Sequence, residues 1–291
     1  MGEWVLGVIG GSGLYEMEGL KSARWTKVDT PWGDPSDELL SGELDGLRLV
    51  FLPRHGRGHR LPPTSINTRA NIDALKRAGC TDVISLSAVG SLKEDLAPGT
   101  FVAVDQYIDR TFARETSFFG PGLVAHVSMA HPVCPRLAGV LADAAEETGA
   151  LVVRGGVYLA MGGPQFSSRA ESELYRSWGC DVIGMTNMPE AKLAREAELP
   201  YASIAMVTDY DCWREEVAHV EIAQVLAVMG ANVAKARGLV ARLPAKLAGP
   251  RPPSPIDTCL DNCIITARAA RDPAMVAKLQ AIAGRALAKE G

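Results

Sequence analysis

The stretch "SIAMVTDYDCW", residues 203–213, decides the fold. Ile204, Ala205, Met206 and Val207 form a short continuous apolar run, the composition of a strand buried on both faces under flanking helices. The next residues are Thr208, Asp209, Tyr210, Asp211, Cys212 and Trp213. Side chains alternate along a strand, so Asp209 and Asp211 fall on one side and can face one cavity. The plainer account is a strand end meeting water, where Asp is common in turns.

Working outward, apolar runs alternate with amphipathic stretches, the pattern of α/β architecture. Strands are expected at 4–9, 47–53, 82–88, 101–105, 152–160, 181–185 and 201–208, and helices at 68–78, 134–148, 169–178, 189–197 and 219–241. Ser168 and Glu171 form a capping box, and Gly79 and Gly179 are helix stops. Five prolines in 244–256 mark a surface connector before an Ala-rich helical stretch at 273–289. No internal repeat is visible.

The 291 residues are 47% hydrophobic and 22% charged, as in ordinary globular proteins. A net charge of -4 carries no footprint for nucleic acid. No apolar run has the length of a membrane span, and the N-terminus lacks the plan of a cleaved leader, so a cytoplasmic protein is expected. Of the six cysteines only Cys259 and Cys263 lie close together, weak evidence for metal; reduced thiols are expected.

Chemistry gathers at strand ends. Strand 4–9 runs into Gly10, Gly11, Ser12 and Gly13, where backbone N–H groups and a hydroxyl can meet an anion; alone, a tight turn is as good a reading. "LPRHGRGH", 52–59, places Arg54 and His55 at another strand end, although a basic loop is often only a solvated turn. "SLSAVGS", 85–91, offers Ser87 among small residues that let a ligand approach. In open α/β sheets the ligand crevice lies at such carboxyl ends. "GGPQFSSRAE", 162–171, and "GMTNMPEA", 184–191, add Phe166 to stack on a flat ring, Met185 for a sugar face and Thr186 for phosphate. Taken singly, Phe166 and Met185 read as core residues. An anion site of Ser12, Arg54, His55, Ser87 and Thr186 beside a carboxylate pair suggests phosphorolysis of an N-glycosidic bond.

The sequence resembles the methylthioadenosine phosphorylases of the trimeric purine nucleoside phosphorylase superfamily. The matching stretches are "VIGGSGLYE", "RHGRGH", "NTRANIDALKRAGCTDVI", "AVGSL", "DQYIDRT", "GPQFSSRAESELYRSWGCDVIGMTNMPEAKLARE" and "YASIAMVTDYDCW". The resemblance implies one domain over 1–291, an α/β fold around a mixed, partly barrel-like sheet, and a homotrimer with sites near subunit boundaries. It assigns phosphate to Gly10, Ser12, Arg54, His55, Ser87 and Thr186, ribose to Met185, and the base to Ala88, Val89, Gly90, Phe166, Asp209 and Asp211. It also implies an alkylthio pocket of Ile222, Val225 and Leu226 with His126 from a neighbouring subunit. Gln165 stands where the family pattern has Arg, and Val89 where some members have Cys. Inorganic phosphate is then a co-substrate, and no metal or other cofactor is expected.

Asp209 as a carboxylate accepts from a 6-amino purine, which argues for adenine. A 6-oxopurine or methylthioinosine phosphorylase, which would need a protonated Asp209, is the nearest rival. A non-catalytic nucleoside binder would have no use for phosphate ligands, and a hydrolase would be expected to carry an Asp-rich metal cluster.

Overall fold

The computed structural model describes residues 2–11, 13–214 and 222–289, the side chains of 222–226 excepted. Eleven strands form one mixed sheet: β1 (Val5–Gly10), β2 (Lys21–Thr26), β3 (Leu39–Leu44), β4 (Leu47–Pro53), β5 (Asp82–Ser91), β6 (Phe101–Val104), β7 (Gln106–Arg110), β8 (Val152–Arg154), β9 (Val157–Met161), β10 (Val182–Gly184) and β11 (Tyr201–Tyr210). Among the described residues the α-helices that cover it are α1 (Thr68–Arg77), α2 (Pro135–Glu146), α3 (Arg169–Ser177), α4 (Asn187–Glu196), α5 (Ile222–Lys246), α6 (Pro273–Lys278) and α7 (Gln280–Lys289).

β5 is the hinge of the architecture. Its first half lies between parallel β1 and β11, and its last two residues pair antiparallel with β10. From there one arm runs β10–β9–β7 and another β11–β6–β8. Because β6 continues into β7 and β8 into β9, the two arms meet and close a ring. The corner needs Gly156: a Cβ there would stand 3.0 Å from Val102 Cγ1, and its N–H donates to Asp105 Oδ1 at 2.9 Å. The expected mixed, partly barrel-like sheet is therefore present.

Side-chain alternation on the central strands builds two cores. Val83, Val89, Ala205 and Val207 face a layer with α1, α4 and α7, while Ile84, Leu86, Ile204 and Met206 face α2 and α5. Burying an aliphatic side chain of this kind stabilises by about 1.5–3 kcal/mol.

Several expectations change. The single strand 152–160 is two, broken at the Gly155–Gly156 corner. β2, β3 and β7 were not foreseen: β2 is largely exposed and β7 half-buried and polar, so neither carries a core-facing apolar run. α4 begins at Asn187 rather than 189. α5 extends through Pro244 to Lys246, so the connector begins beyond it; the expected helix start at 219 lies outside the described residues. The 273–289 helix is divided at Leu279, which is fully buried. The Ser168–Glu171 capping box is present, and all six cysteines are free thiols.

Glu196, at the end of α4, is buried and accepts from the Phe118 N–H at 2.6 Å and Ser117 Oγ at 2.7 Å. Burial pushes its carboxyl up to about 7, against these two bonds. Between the ordinary carboxyl value and about 7 the native state keeps a proton that the unfolded chain loses, so stability falls as pH rises through that window. Glu196→Gln is expected to remove that slope, worth about 3 kcal/mol across the window. Urea midpoints between pH 5 and 8 check it; equal slopes in both proteins would refute it.

Candidate active site

The carboxylate pair owes its place to a β-bulge. β11 pairs with β5 in register from Tyr201 to Val207, opposite Val89, and then Asp209 rather than Thr208 stands opposite Gly90. One extra residue shifts the alternation, so Asp209 leaves the side of Val207 for the side of Gly90 and Ala88. Where a Gly90 side chain would begin, Asp209 Oδ1 is 3.3 Å and Asp211 Cβ 3.4 Å away, so both acids lie beside Gly90. Thr208 Oγ1 lies 2.7 Å from Asp209 Oδ2 and 3.1 Å from the Val89 carbonyl. Burial raises the Asp209 pKa, Asp211 raises it further, and the Thr208 hydroxyl opposes both. Oδ2 of Asp211 is buried without a hydrogen-bond partner among the described residues. Such an acceptor is costly unless something donates to it.

A second cluster sits lower on β5. The antiparallel register with β10 (Ile183 opposite Gly90) runs the chain after β10 back along β5 and brings Thr186 beside Ser87. Ser87 Oγ and Thr186 Oγ1 lie 3.1 and 3.4 Å from Oδ1 of fully buried Asn187. Arg54, 2% exposed, follows β4, and its N–H donates to the Gly10 carbonyl at 2.9 Å. Its guanidinium donates to Glu190 Oε1 at 2.5 Å, Ser85 Oγ at 2.5 Å and the Leu86 carbonyl at 3.1 Å. Glu190 also receives the hydroxyls of Ser85 and Tyr201, at 2.9 and 3.0 Å. Burial works against the Arg54 charge, but Glu190 outweighs it and raises the Arg54 pKa. With a fourth bond from Nη2 to Glu190 Oε2 at 3.3 Å, four of the five guanidinium hydrogens are engaged.

His55 stacks on His59 at 4.2 Å, and its Nδ1 donates to the Leu61 carbonyl at 2.9 Å. Burial, helped by the Arg54 and His59 charges and opposed by that carbonyl, holds the ring at about 4. Near neutrality the ring is uncharged, and with Nδ1–H occupied its Nε2 can only accept. His55 therefore offers its surroundings an acceptor.

Of the other candidate residues, Ala88 and Phe166 are exposed and Val89 is buried. Met185 packs on Gly163, leaving no room there for a side chain. Cys212 Sγ contacts the Ser167 carbonyl at 3.3 Å, tying the Phe166 turn to the strand end of the two acids. His126 stands apart: it is exposed, with its N–H donating to the Cys263 carbonyl at 3.0 Å. Ser12 and the side chains of Ile222, Val225 and Leu226 lie outside the described residues.

Glu190 and Asn187 were missed in the sequence reading. A signal existed for Glu190: it shares the core-facing stripe of α4 with Ala194 and Ala197, an apolar place for a carboxylate.

Residues 5–244 match the family model of the phosphorylase superfamily. The S-methyl-5'-thioadenosine phosphorylase of Cereibacter sphaeroides is 62% identical over 285 residues, covering 97% of this chain and 98% of that protein. That of Rhodospirillum rubrum is 60% identical, covering 97% of each. Among solved structures, a methylthioadenosine phosphorylase from an antarctic soil metagenomic library superposes with a TM-score of 0.92 at 43% identity, covering 97% of this chain and 99% of that one. A mutant adenosine/methylthioadenosine phosphorylase of Schistosoma mansoni, in complex with methylthioadenosine, gives 0.78 at 38% identity, covering 84% and 91%.

Proposed function

The chain belongs to the phosphorylase superfamily, and from that premise we propose that it cleaves 5'-methylthioadenosine with phosphate, giving adenine and 5-methylthioribose 1-phosphate. One observation carries the reading: along β5, hydroxyl and guanidinium donors gather around Ser85–Ser87 and the carboxyl groups of the next strand's end gather around Gly90. Three residues of strand separate Ser87 from Gly90 by about 10 Å, room for a ribose between an anion and a purine.

A phosphate oxygen attacks the anomeric carbon as the bond to the base breaks, and the bonding electrons leave with the purine. The sugar passes through an oxocarbenium-like state. Asp209, favoured in its protonated form by burial and by Asp211, gives its proton to N7 of the departing base. Asp209 also meets the purine amino group, and Asp211, whose buried Oδ2 has no donor among the described residues, stands beside it as the alternative acceptor. Arg54 and Glu190 together are neutral, so the pair orients phosphate rather than attracting it from afar.

Phosphate contacts are Gly10, Ser12, Arg54, His55, Ser87 and Thr186, with Met185 on the ribose and Phe166 on the base. We further propose a cytoplasmic homotrimer in which His126, exposed and remote from the strand ends, completes a neighbour's site, and in which no metal takes part. The raised Asp209 pKa also favours the methylthioinosine reading, because a protonated acid can donate to O6.

The test is adenine release from methylthioadenosine with and without phosphate, in the presence of a chelator. Phosphate-dependent, chelator-resistant release with a pentose 1-phosphate product is expected. Equal release without phosphate would mean hydrolysis, and none at all a binding module. An active monomer in light scattering at assay concentration would remove His126 from the site.

A further inference from the structure

Arg114 lies on the loop after β7 and makes three hydrogen bonds, all to backbone carbonyls. Nη1 donates to Met185 at 2.7 Å and Met188 at 2.8 Å, and Nη2 donates to Gly162 at 2.7 Å. Met185 and Met188 bracket Thr186 and Asn187, the anion segment. Gly162 begins the turn that carries Phe166, the base segment. We propose that Arg114 is the positioning residue that locks the phosphate-bearing and base-bearing segments of the site to each other. The proposal rests on the phosphorolysis reading above and adds to it a residue that touches no reacting atom.

The geometry explains why arginine stands here. A guanidinium is planar and rigid, so three carbonyls on one fork fix two chain segments relative to one another, which an ammonium on a flexible stem cannot do. A trans peptide points its C=O and N–H in opposite directions. Holding the Met185 carbonyl on Arg114 therefore turns the Thr186 N–H away from Arg114. The charge matters as well. No carboxylate lies within ion-pair distance of Arg114 among the described residues. Burial disfavours its charge, and the more distant Asp109 and Glu190 support it. Arg54 is offset by Glu190, whereas Arg114 has no carboxylate in contact among the described residues.

A residue that only stabilised the fold would change the fraction of active enzyme, not the affinity of either substrate. Arg114→Met is therefore expected to raise KM for phosphate and KM for methylthioadenosine together, with kcat/KM down on the order of a hundredfold, the usual cost of an ångström-scale misplacement. Arg114→Lys keeps the charge without the fork and should fall between it and the unmodified enzyme. It serves as the test if the methionine variant does not fold. Millimolar guanidinium ion should restore part of the activity of Arg114→Ala. A shift in only one KM, or a lower kcat with both KM values unchanged, would overturn the proposal. Release of adenine without phosphate by the unmodified enzyme would overturn the phosphorolysis reading instead.

Discussion

Glu190→Ala should cost about 3–5 kcal/mol of stability, because it leaves the Arg54 guanidinium buried without its counter-charge. Arg54 is 2% exposed and its side-chain bonds run to Glu190, Ser85 and Leu86, so without the carboxylate the buried cation is left with neutral acceptors only. Ser85 and Tyr201 lose an acceptor in the same step. Urea unfolding measures the loss, and a cost below about 1 kcal/mol would mean that the pair contributes little. Removing both charges separates structure from chemistry. The double variant Arg54→Met with Glu190→Met leaves no unpaired charge, so it should recover most of the stability lost by Glu190→Ala. It should not recover phosphate use, since the guanidinium is gone.

Asp209→Asn should move the choice of base. A carboxylate accepts from the amino group of adenine and, protonated, serves N7; an amide keeps the shape and offers a donor to O6. Methylthioadenosine turnover should fall and methylthioinosine turnover rise relative to it. Mispairing one buried polar group costs about 1–3 kcal/mol, so the ratio of kcat/KM values should change by roughly ten- to a hundredfold. Both substrates on both proteins at saturating phosphate provide the measurement. An unchanged ratio would show that Asp209 does not read the base, and a shift produced by Asp211→Asn instead would give that role to Asp211, whose free oxygen makes it the alternative.

The parts of the fold legible in the sequence are those with unbroken periodicity. β1, β4, β5 and β11 are apolar runs buried on both faces for most of their length, and each was found close to its observed limits. β2 was not, because it lies at the end of the strand order with most of its residues exposed. The division of 152–160 depended on a corner where Gly156 passes close to Val102, a tertiary fact invisible in local composition. The candidate site divides in the same way. Arg54, Ser87, Thr186 and the two acids stand out as polar groups at strand ends. Glu190, Asn187 and Arg114 act on backbone or on other side chains from helices and loops, and the bonds Arg54–Glu190, Ser87–Asn187 and Arg114–Met185 span 136, 100 and 71 residues of sequence. Nothing near them in the chain announces such pairings.

The bulge at Thr208 makes this strand end sensitive to length as well as to composition. A substitution in β11 changes packing or one contact and leaves the order of the faces as it was. Loss of a single residue between Val207 and Asp209 would restore a regular ladder with every upstream pairing intact. Asp209 would still follow Val207 opposite Gly90, on the face it has now, but without the hydroxyl 2.7 Å from its Oδ2. What the extra residue adds is a hydroxyl at the acid, held there without moving any upstream pairing. A relative one residue shorter here should therefore keep its acid on the same face and lose only the hydroxyl beside it.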